Sequence, residues 1–222
     1  MSRRSVRIDV EGQGKISGLW LVPDTPRACL VLAHGAGAGM THASMAAIAE
    51  GLMARGVATL RFQFPYMERG SKRVDSPKIA HAAVRAAVSE ARKHFAKLPL
   101  FAGGKSFGGR MTSQTQAEAP LEGVRGLVFF GFPLHPAGAP SVDRAAHLKG
   151  VDIPTLFLQG TNDALADVAL LRPMIASLGR RAKLKLVADA DHSFHVPKRS
   201  GRTNAEVMDE VLDFATEWMV ET

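Results

Sequence analysis

The feature that most constrains this chain is an alternation. Short apolar runs recur between segments whose apolar residues fall at helical spacing. The runs are "RACLVLAHG", "GVATLRFQF", "LFAGG", "GVRGLVFFG", "IPTLFLQG" and "LKLVADA". Each has the length of a strand and little polar alternation, as expected of strands covered on both faces. Between them, residues 41–55, 77–97 and 107–118 carry apolar side chains with helical period, the last stopped by Pro120. Strands and helices taking turns predict an α/β fold, an open and mostly parallel sheet with helices on both faces. "SVRIDV" and "ISGLWLV" read as opening strands, a hairpin across the "EGQGK" turn, and a C-terminal helix is expected from Asn204 to Val220 with Asn204 as its N-cap.

With 222 residues, 46% of them hydrophobic, and no internal repeat, the chain is expected to form one domain spanning 1–222. The basic N-terminus "MSRRSVRIDVEGQGK" is followed by no apolar stretch, and the longest apolar run, Ala28 to Ala33, is far too short to span a bilayer. A soluble, cytoplasmic protein without a signal peptide is the expectation. The single cysteine, Cys29, sits inside "ACLVLA" and reads as a small buried hydrophobe. The net charge of +7 is spread over the N-terminal arm and the 69–73, 85–97, 180–185 and 198–202 segments. With one Tyr and two Trp to stack on bases, this reads as a solvated basic surface, so neither nucleic acid nor membrane is expected as a partner.

Ligands of open parallel sheets bind outside the carboxyl ends of the strands. The chemistry is therefore sought just after Ala33, Phe64, Gly103, Phe130, Leu158 and Ala188. There, "LPLFAGGKSFGGRM" admits two incompatible readings. A phosphate-binding loop of the form G-x-x-x-x-G-K-[ST] needs a glycine five residues before Gly104, where the chain has Pro99. Phe101 and Ala102 also continue the strand, leaving too little chain to wrap a phosphate. The alternative is G-x-S-x-G, a nucleophile on a sharp strand-to-helix turn, whose strained backbone and close contacts exclude bulk two residues to either side. Gly104 and Gly108 meet that need around Ser106, and the helix that follows points its positive end at the reacting centre.

An isolated serine is a poor nucleophile and needs a base, itself oriented by a third group. Downstream, "IPTLFLQG" ends in "GTNDAL" and "LKLVADA" ends in "DHSFH", which puts Asp163 and His192 at searched positions in the order Ser, acid, His. His195 lies deeper in its loop, and Asp167 falls at the next helix; both are secondary candidates. A metal site could be assembled from Asp189, Asp191, His192 and His195, but no second cluster completes it, so neither metal nor cofactor is expected. An oxyanion hole requires two backbone N–H groups. Phe107 supplies one, and the "HGAGAGM" turn supplies the other, from Ala36 first and Gly37 next. His34 is expected to brace this turn without transferring protons.

With "HGAGAG", "GKSFGG", "GTNDAL" and "DHSF" in this order, the chain resembles the α/β-hydrolase superfamily over nearly its whole length, and within it the compact dienelactone-hydrolase-like branch. "RFQFPYMERGSKR" is similar to the corresponding segment of the small testis-expressed hydrolase-like proteins. The resemblance implies a triad of Ser106, Asp163 and His192. Dienelactone hydrolases carry cysteine where this chain has Ser106, so their substrate does not carry over.

Lids in this superfamily usually interrupt the chain between the sixth and seventh core strands, and here that interval, Gly131 to Asp152, is short, with Pro-containing turns. A shallow, open site is expected. Its walls are assigned to Met40, Phe64, Tyr66, Phe107, Met111, Leu134 and Phe194, with a basic edge at Arg69, Lys72 and Arg73. Together these readings predict a serine hydrolase cleaving a small-molecule carboxylic ester or related acyl bond. The alternatives are a catalytically silent scaffold on the same fold, or an acyl transferase or peptidase. Nothing in the sequence specifies an oligomer.

Overall fold

Ser2–Val10 (β1) and Gly14–Val22 (β2) form the expected antiparallel hairpin, with Val10 opposite Gly14 in a computed structural model that describes residues 2–222. Six further strands follow: Ala28–Ala33 (β3), Val57–Phe62 (β4), Leu100–Lys105 (β5), Val124–Phe130 (β6), Thr155–Gly160 (β7) and Ala182–Val187 (β8). The sheet order is β1-β2-β4-β3-β5-β6-β7-β8, antiparallel at the β1–β2 and β2–β4 pairs and parallel elsewhere.

The near-continuous apolar runs are explained by two cores. All six residues of β3 are buried, and they alternate: Cys29, Val31 and Ala33 enter one core while Ala28, Leu30 and Leu32 enter the other. The first core is closed by helices Pro77–His94 (α3), Phe107–Glu118 (α4) and Val168–Ser177 (α5). Helices Ala43–Ala54 (α1) and Asn204–Glu221 (α6) close the second. The chain from Pro65 to Glu68 makes one short helix (α2). In the first core, Phe129, Phe132 and Phe157 meet with ring centroids 4.8 to 5.7 Å apart, each burial contributing about 2–3 kcal/mol.

One local expectation differs and another holds. The N-cap of α6 is Thr203, whose side chain accepts from the Glu206 N–H while Glu206 answers to the Thr203 N–H; Asn204 is already helical. The interval between β6 and β7 holds only turns and a 3₁₀ segment, Asp143–Gly150, so no lid domain covers the carboxyl edge.

The strand order places a switch point at β3. From β3 the chain moves to β4 on one side and returns to β5 on the other, so the loops leaving β3 and β5 separate and leave a crevice at the carboxyl edge.

Candidate functional site

Ser106 is the hinge between β5 and α4. Its backbone sits at φ 51°, ψ −118°, a region that L-residues rarely occupy, and its nearest helical neighbour, Phe107, opens α4. The turn is held by close backbone approach on both sides. A Cβ at Gly104 would lie 2.3 Å from the Ala33 carbonyl oxygen, and one at Gly108 would lie 2.4 Å from the same atom. Only glycine at both positions lets β5 and α4 press against the end of β3. As the first residue of its helix, Phe107 has an N–H without an intrahelical acceptor, next to the Ser106 hydroxyl.

The loop after β3 lies against this turn; a Cβ added to Gly35 would sit 3.8 Å from Ser106 Cβ. Ala38 N–H donates to the Gly35 carbonyl across a turn in which Gly37 takes φ 72°. His34 braces the loop as expected: Nδ1–H donates to the Gly35 carbonyl (2.8 Å) and Nε2 accepts the Phe64 N–H (3.1 Å). Accepting at Nε2 requires the neutral ring, and burial pushes its pKa down to about 4. Gly37 N–H is consumed by Tyr66 Oη at 2.9 Å, whereas Ala36, exposed on the cleft, has an N–H with no hydrogen-bond partner among the described residues.

Asp163 and His192 meet across the loops after β7 and β8, with His192 Nδ1 donating to Asp163 Oδ2 at 2.6 Å. The Asp163 side chain is fully buried. It also accepts from the Gln159 side-chain amide, at short range, and from Leu165 N–H at 2.8 Å. Gln159 is oriented in turn, because its Oε1 accepts Phe132 N–H at 2.9 Å. His192 Nε2 is shielded and has no hydrogen-bond partner among the described residues. Beneath the loop, Lys105 Nζ donates to the His192 carbonyl at 2.9 Å and lies 6.0 Å from the Phe194 ring centroid. Burial lowers the Lys105 pKa, while Asp163 and Asp191 pull it back up. Phe194 is held at φ 62°, a strained value for an aromatic residue.

The rival residues have other duties. Asp167 is the N-cap of α5, accepting from Ala169 N–H. His195 is exposed on the rim, 3.8 Å from Asp191. Asp191 accepts the backbone N–H groups of Ser193 and His195. A second serine–histidine pair exists, Ser113 Oγ to His147 Nε2 at 2.7 Å. Ser113 is fully buried in the middle of α4 with its hydroxyl also on the Arg110 carbonyl, and neither partner lines the cleft. His147 is pushed down to about 4 by burial, reinforced by Arg110 and His81, which leaves it a neutral packing group.

Gly35, Ala36, Lys105, Ser106, His192 and Phe194 all border one open cleft of about 830 Å³. Most of its remaining wall comes from α1 and α6, with Leu165 and the rims of the glycine and His192 loops completing it, which corrects the assignment made from sequence. Phe64, Tyr66, Met111 and Leu134 are at most 2% exposed and belong to the core on the α3–α4 face, beneath the site. The chain leaving β4 turns inward at Pro65, so Phe64 stacks edge-on against His34 and Phe107 while Tyr66 reaches the glycine loop. Met40 is half-buried outside the cleft, its N–H and carbonyl held by Gln63 and Arg61. Arg69 is paired with the buried Asp75 (2.7 Å), and Lys72 and Arg73 do not border the cleft either. Phe107 likewise packs its ring into that core against Phe64, so of the proposed walls only Phe194 lines the cleft.

Lys105 and Gln159 were not singled out from sequence. Lys105 occupies the free position of G-x-S-x-G and Gln159 ends a buried strand, so no spacing distinguishes either; a buried polar residue beside a sought acid was the one available signal for Gln159.

The chain's similarities agree with this geometry. Residues 26–220 match the family model described as alpha/beta hydrolase domain. A dienelactone hydrolase from Anabaena variabilis superposes with a TM-score of 0.78 at 23% identity, covering 99% of this chain and 97% of its own. A lidless α/β serine hydrolase from Xanthomonas campestris gives 0.77 at 19% identity, with 98% and 95% covered. The esterase domain of a Rhodothermus marinus protein gives 0.73 at 16%, with 100% and 99% covered. An eight-stranded sheet with one reversed strand, a strained serine between β5 and α4, and a family match over most of its length make this chain a member of the alpha/beta hydrolase domain family.

Proposed function

We propose that the protein is a serine hydrolase that cleaves carboxylic esters, with Ser106 as nucleophile, His192 as general base and acid, and Asp163 as the group that orients the imidazole. The observation that carries this reading is the 2.6 Å bond from His192 Nδ1 to the buried Asp163 carboxylate, with Nε2 left without a partner among the described residues and His192 lining the same cleft as Ser106. A proton held at Nδ1 makes Nε2 the acceptor, which is the tautomer a base needs. Ser106 and His192 share no hydrogen bond before substrate binds, a separation that such pairs commonly close in the reactive complex.

In the reaction, Ser106 Oγ attacks the ester carbonyl carbon and its proton passes to His192 Nε2. The charge on the carbonyl oxygen is met by the Ala36 and Phe107 N–H groups, aided by the positive end of α4. Collapse expels the alcohol, which takes the proton from His192 and leaves an acyl-serine. Water, deprotonated by the same imidazole, repeats the sequence and releases the acid.

The test is intact-mass labelling with a fluorophosphonate, beside Ser106→Ala and His192→Ala. A single adduct on the wild type, absent from Ser106→Ala and strongly slowed in His192→Ala, is expected. No adduct on folded wild-type protein, or an adduct retained by Ser106→Ala, refutes the reading.

A further inference from the structure

We propose that the groove leading away from Ser106 between α1 and α6 holds the straight hydrocarbon chain of the ester, and that the far end of the groove selects chains of medium length. This names a substrate class for the site and rests on the serine-hydrolase reading above.

Both helices begin at the reactive edge, α1 after the glycine loop and α6 after the His192 loop. On α1, Ala43, Ala47 and Gly51 are four residues apart and form one stripe. On α6, Ala205, Met208 and Leu212 form the facing stripe. The three alanines are exposed and small, so they leave the space between the helices unfilled near the site. At Gly51 the gap closes, because a Cβ there would lie 2.3 Å from Leu212 Cδ1. One turn further on, Arg55 clasps the two helices together: Nε binds Asp213 at 2.6 Å, Nη2 binds Asp209 at 3.0 Å and Nη1 donates to the Gly51 carbonyl at 3.1 Å. From Ala43 to Gly51 the helix rises about 12 Å, the reach of an octanoyl to decanoyl chain.

The chemistry of the walls favours hydrocarbon over an extended peptide, whose N–H and C=O groups would require partners along the groove. The stripes offer methyl, thioether and isobutyl groups. Two polar side chains at the mouth are already engaged, His42 Nδ1 with Ser44 as the cap of α1 and Asn204 Oδ1 with Val196 N–H. A chain could enter from the acyl or the alcohol side of the ester, and both present the same surface.

The experiment measures kcat/KM for linear p-nitrophenyl acyl esters and, separately, for acetate esters of linear alcohols, in wild type, Ala47→Phe and Ala205→Phe. An open groove covers about half of each methylene, so kcat/KM should rise about twofold per methylene, roughly 60-fold from acetyl to octanoyl, in one of the two series. A phenyl group halfway along the α1 wall, or at the site end of the α6 wall, should cut the octanoyl-to-acetyl ratio, or its alcohol counterpart, at least tenfold. Both positions are exposed, and circular dichroism checks that the variants fold. Rates that are flat or falling with chain length in both series, ratios unchanged by both variants, or a preference for peptide anilides would each overturn the groove assignment. A fluorophosphonate adduct on Ser106 separates the two levels. If Ser106 labels and acetyl esters are cleaved without chain-length preference, the groove assignment alone falls; if nothing labels and nothing is cleaved, the serine reading falls and takes the groove with it.

Discussion

Asp163→Asn should disable the enzyme while leaving it folded, and the contacts of Asp163 say why. Three donors converge on this carboxylate: His192 Nδ1–H, the Gln159 side-chain amide and Leu165 N–H. His192 and Gln159 share Oδ2 while Leu165 N–H holds Oδ1, so a side-chain amide turns its NH2 either on Leu165 or on both side-chain donors. Gln159 cannot turn to accept, because its oxygen holds the Phe132 N–H. Leu165 N–H is fixed backbone. With the NH2 on the side of His192, the ring relieves its share of the mismatch by moving its proton to Nε2, so that Nδ1 accepts from the new NH2 and the ring presents a donor toward Ser106. Wrong-tautomer substitutions of this kind cost about 10⁴-fold in kcat. The residual mismatch among buried donors should lower unfolding stability by about 2 kcal/mol, or about 4–8 °C in Tm for a chain of this size. Stopped-flow hydrolysis of a p-nitrophenyl ester, the rate of fluorophosphonate labelling and calorimetry read the three effects. A variant that labels and turns over within tenfold of wild type would show that Asp163 does not set the His192 tautomer.

Three other outcomes follow from the same geometry. Gly108→Ala gains up to about 1 kcal/mol of helix propensity, but its Cβ would lie 2.4 Å from the Ala33 carbonyl oxygen and 2.6 Å from that of His34, both unyielding backbone atoms. Overpacking of about 2–3 kcal/mol should win, so urea denaturation of the variant is expected at lower concentration than wild type, and equal or greater stability would contradict the packing argument. Lys105→Met keeps the aliphatic stem but removes the bond to the His192 carbonyl, and should lower kcat about tenfold with KM little changed; a pure KM effect would assign Lys105 to substrate binding instead. Acid should weaken the fold through His34, whose pKa falls from 6.5 to about 4 on burial. Between those values the unfolded chain binds a proton that the folded one refuses. The stabilisation is therefore complete above about pH 6.5 and lost as the pH drops toward 4, by about 2 kcal/mol at pH 5. His34→Gln should flatten that part of the stability profile, measured by denaturant titration at pH 7.5 and 5; an unchanged slope would remove His34 from the account.

The parts of this protein legible from its residues were those encoded locally. Apolar runs such as "ACLVLA" announce strands buried on both faces because a period of two with no polar member leaves no side for water. Glycines two residues either side of Ser106 announce the turn, because the Ala33 carbonyl leaves no room for a side chain there. Order along the chain and placement at strand ends sufficed to pick Asp163 and His192, and these do meet. The walls of the cleft were another matter. Phe64 follows a strand end as closely as Ala36 does, and Tyr66 nearly so, yet Pro65 turns them under the site, into a core that forms only when α3 and α4 pack against the sheet. The actual walls pair α1 with α6, elements joined by the Arg55–Asp213 contact across most of the chain's length. Lys105 and Gln159 are likewise given their roles by distant partners, the His192 carbonyl and the Asp163 carboxylate. Backbone conformation and strand burial are short-range consequences of side-chain size and polarity, so they can be read along the chain. Which side of the sheet a loop falls toward, and which two helices share a groove, depend on packing among segments far apart in sequence, and those were set when the sheet assembled.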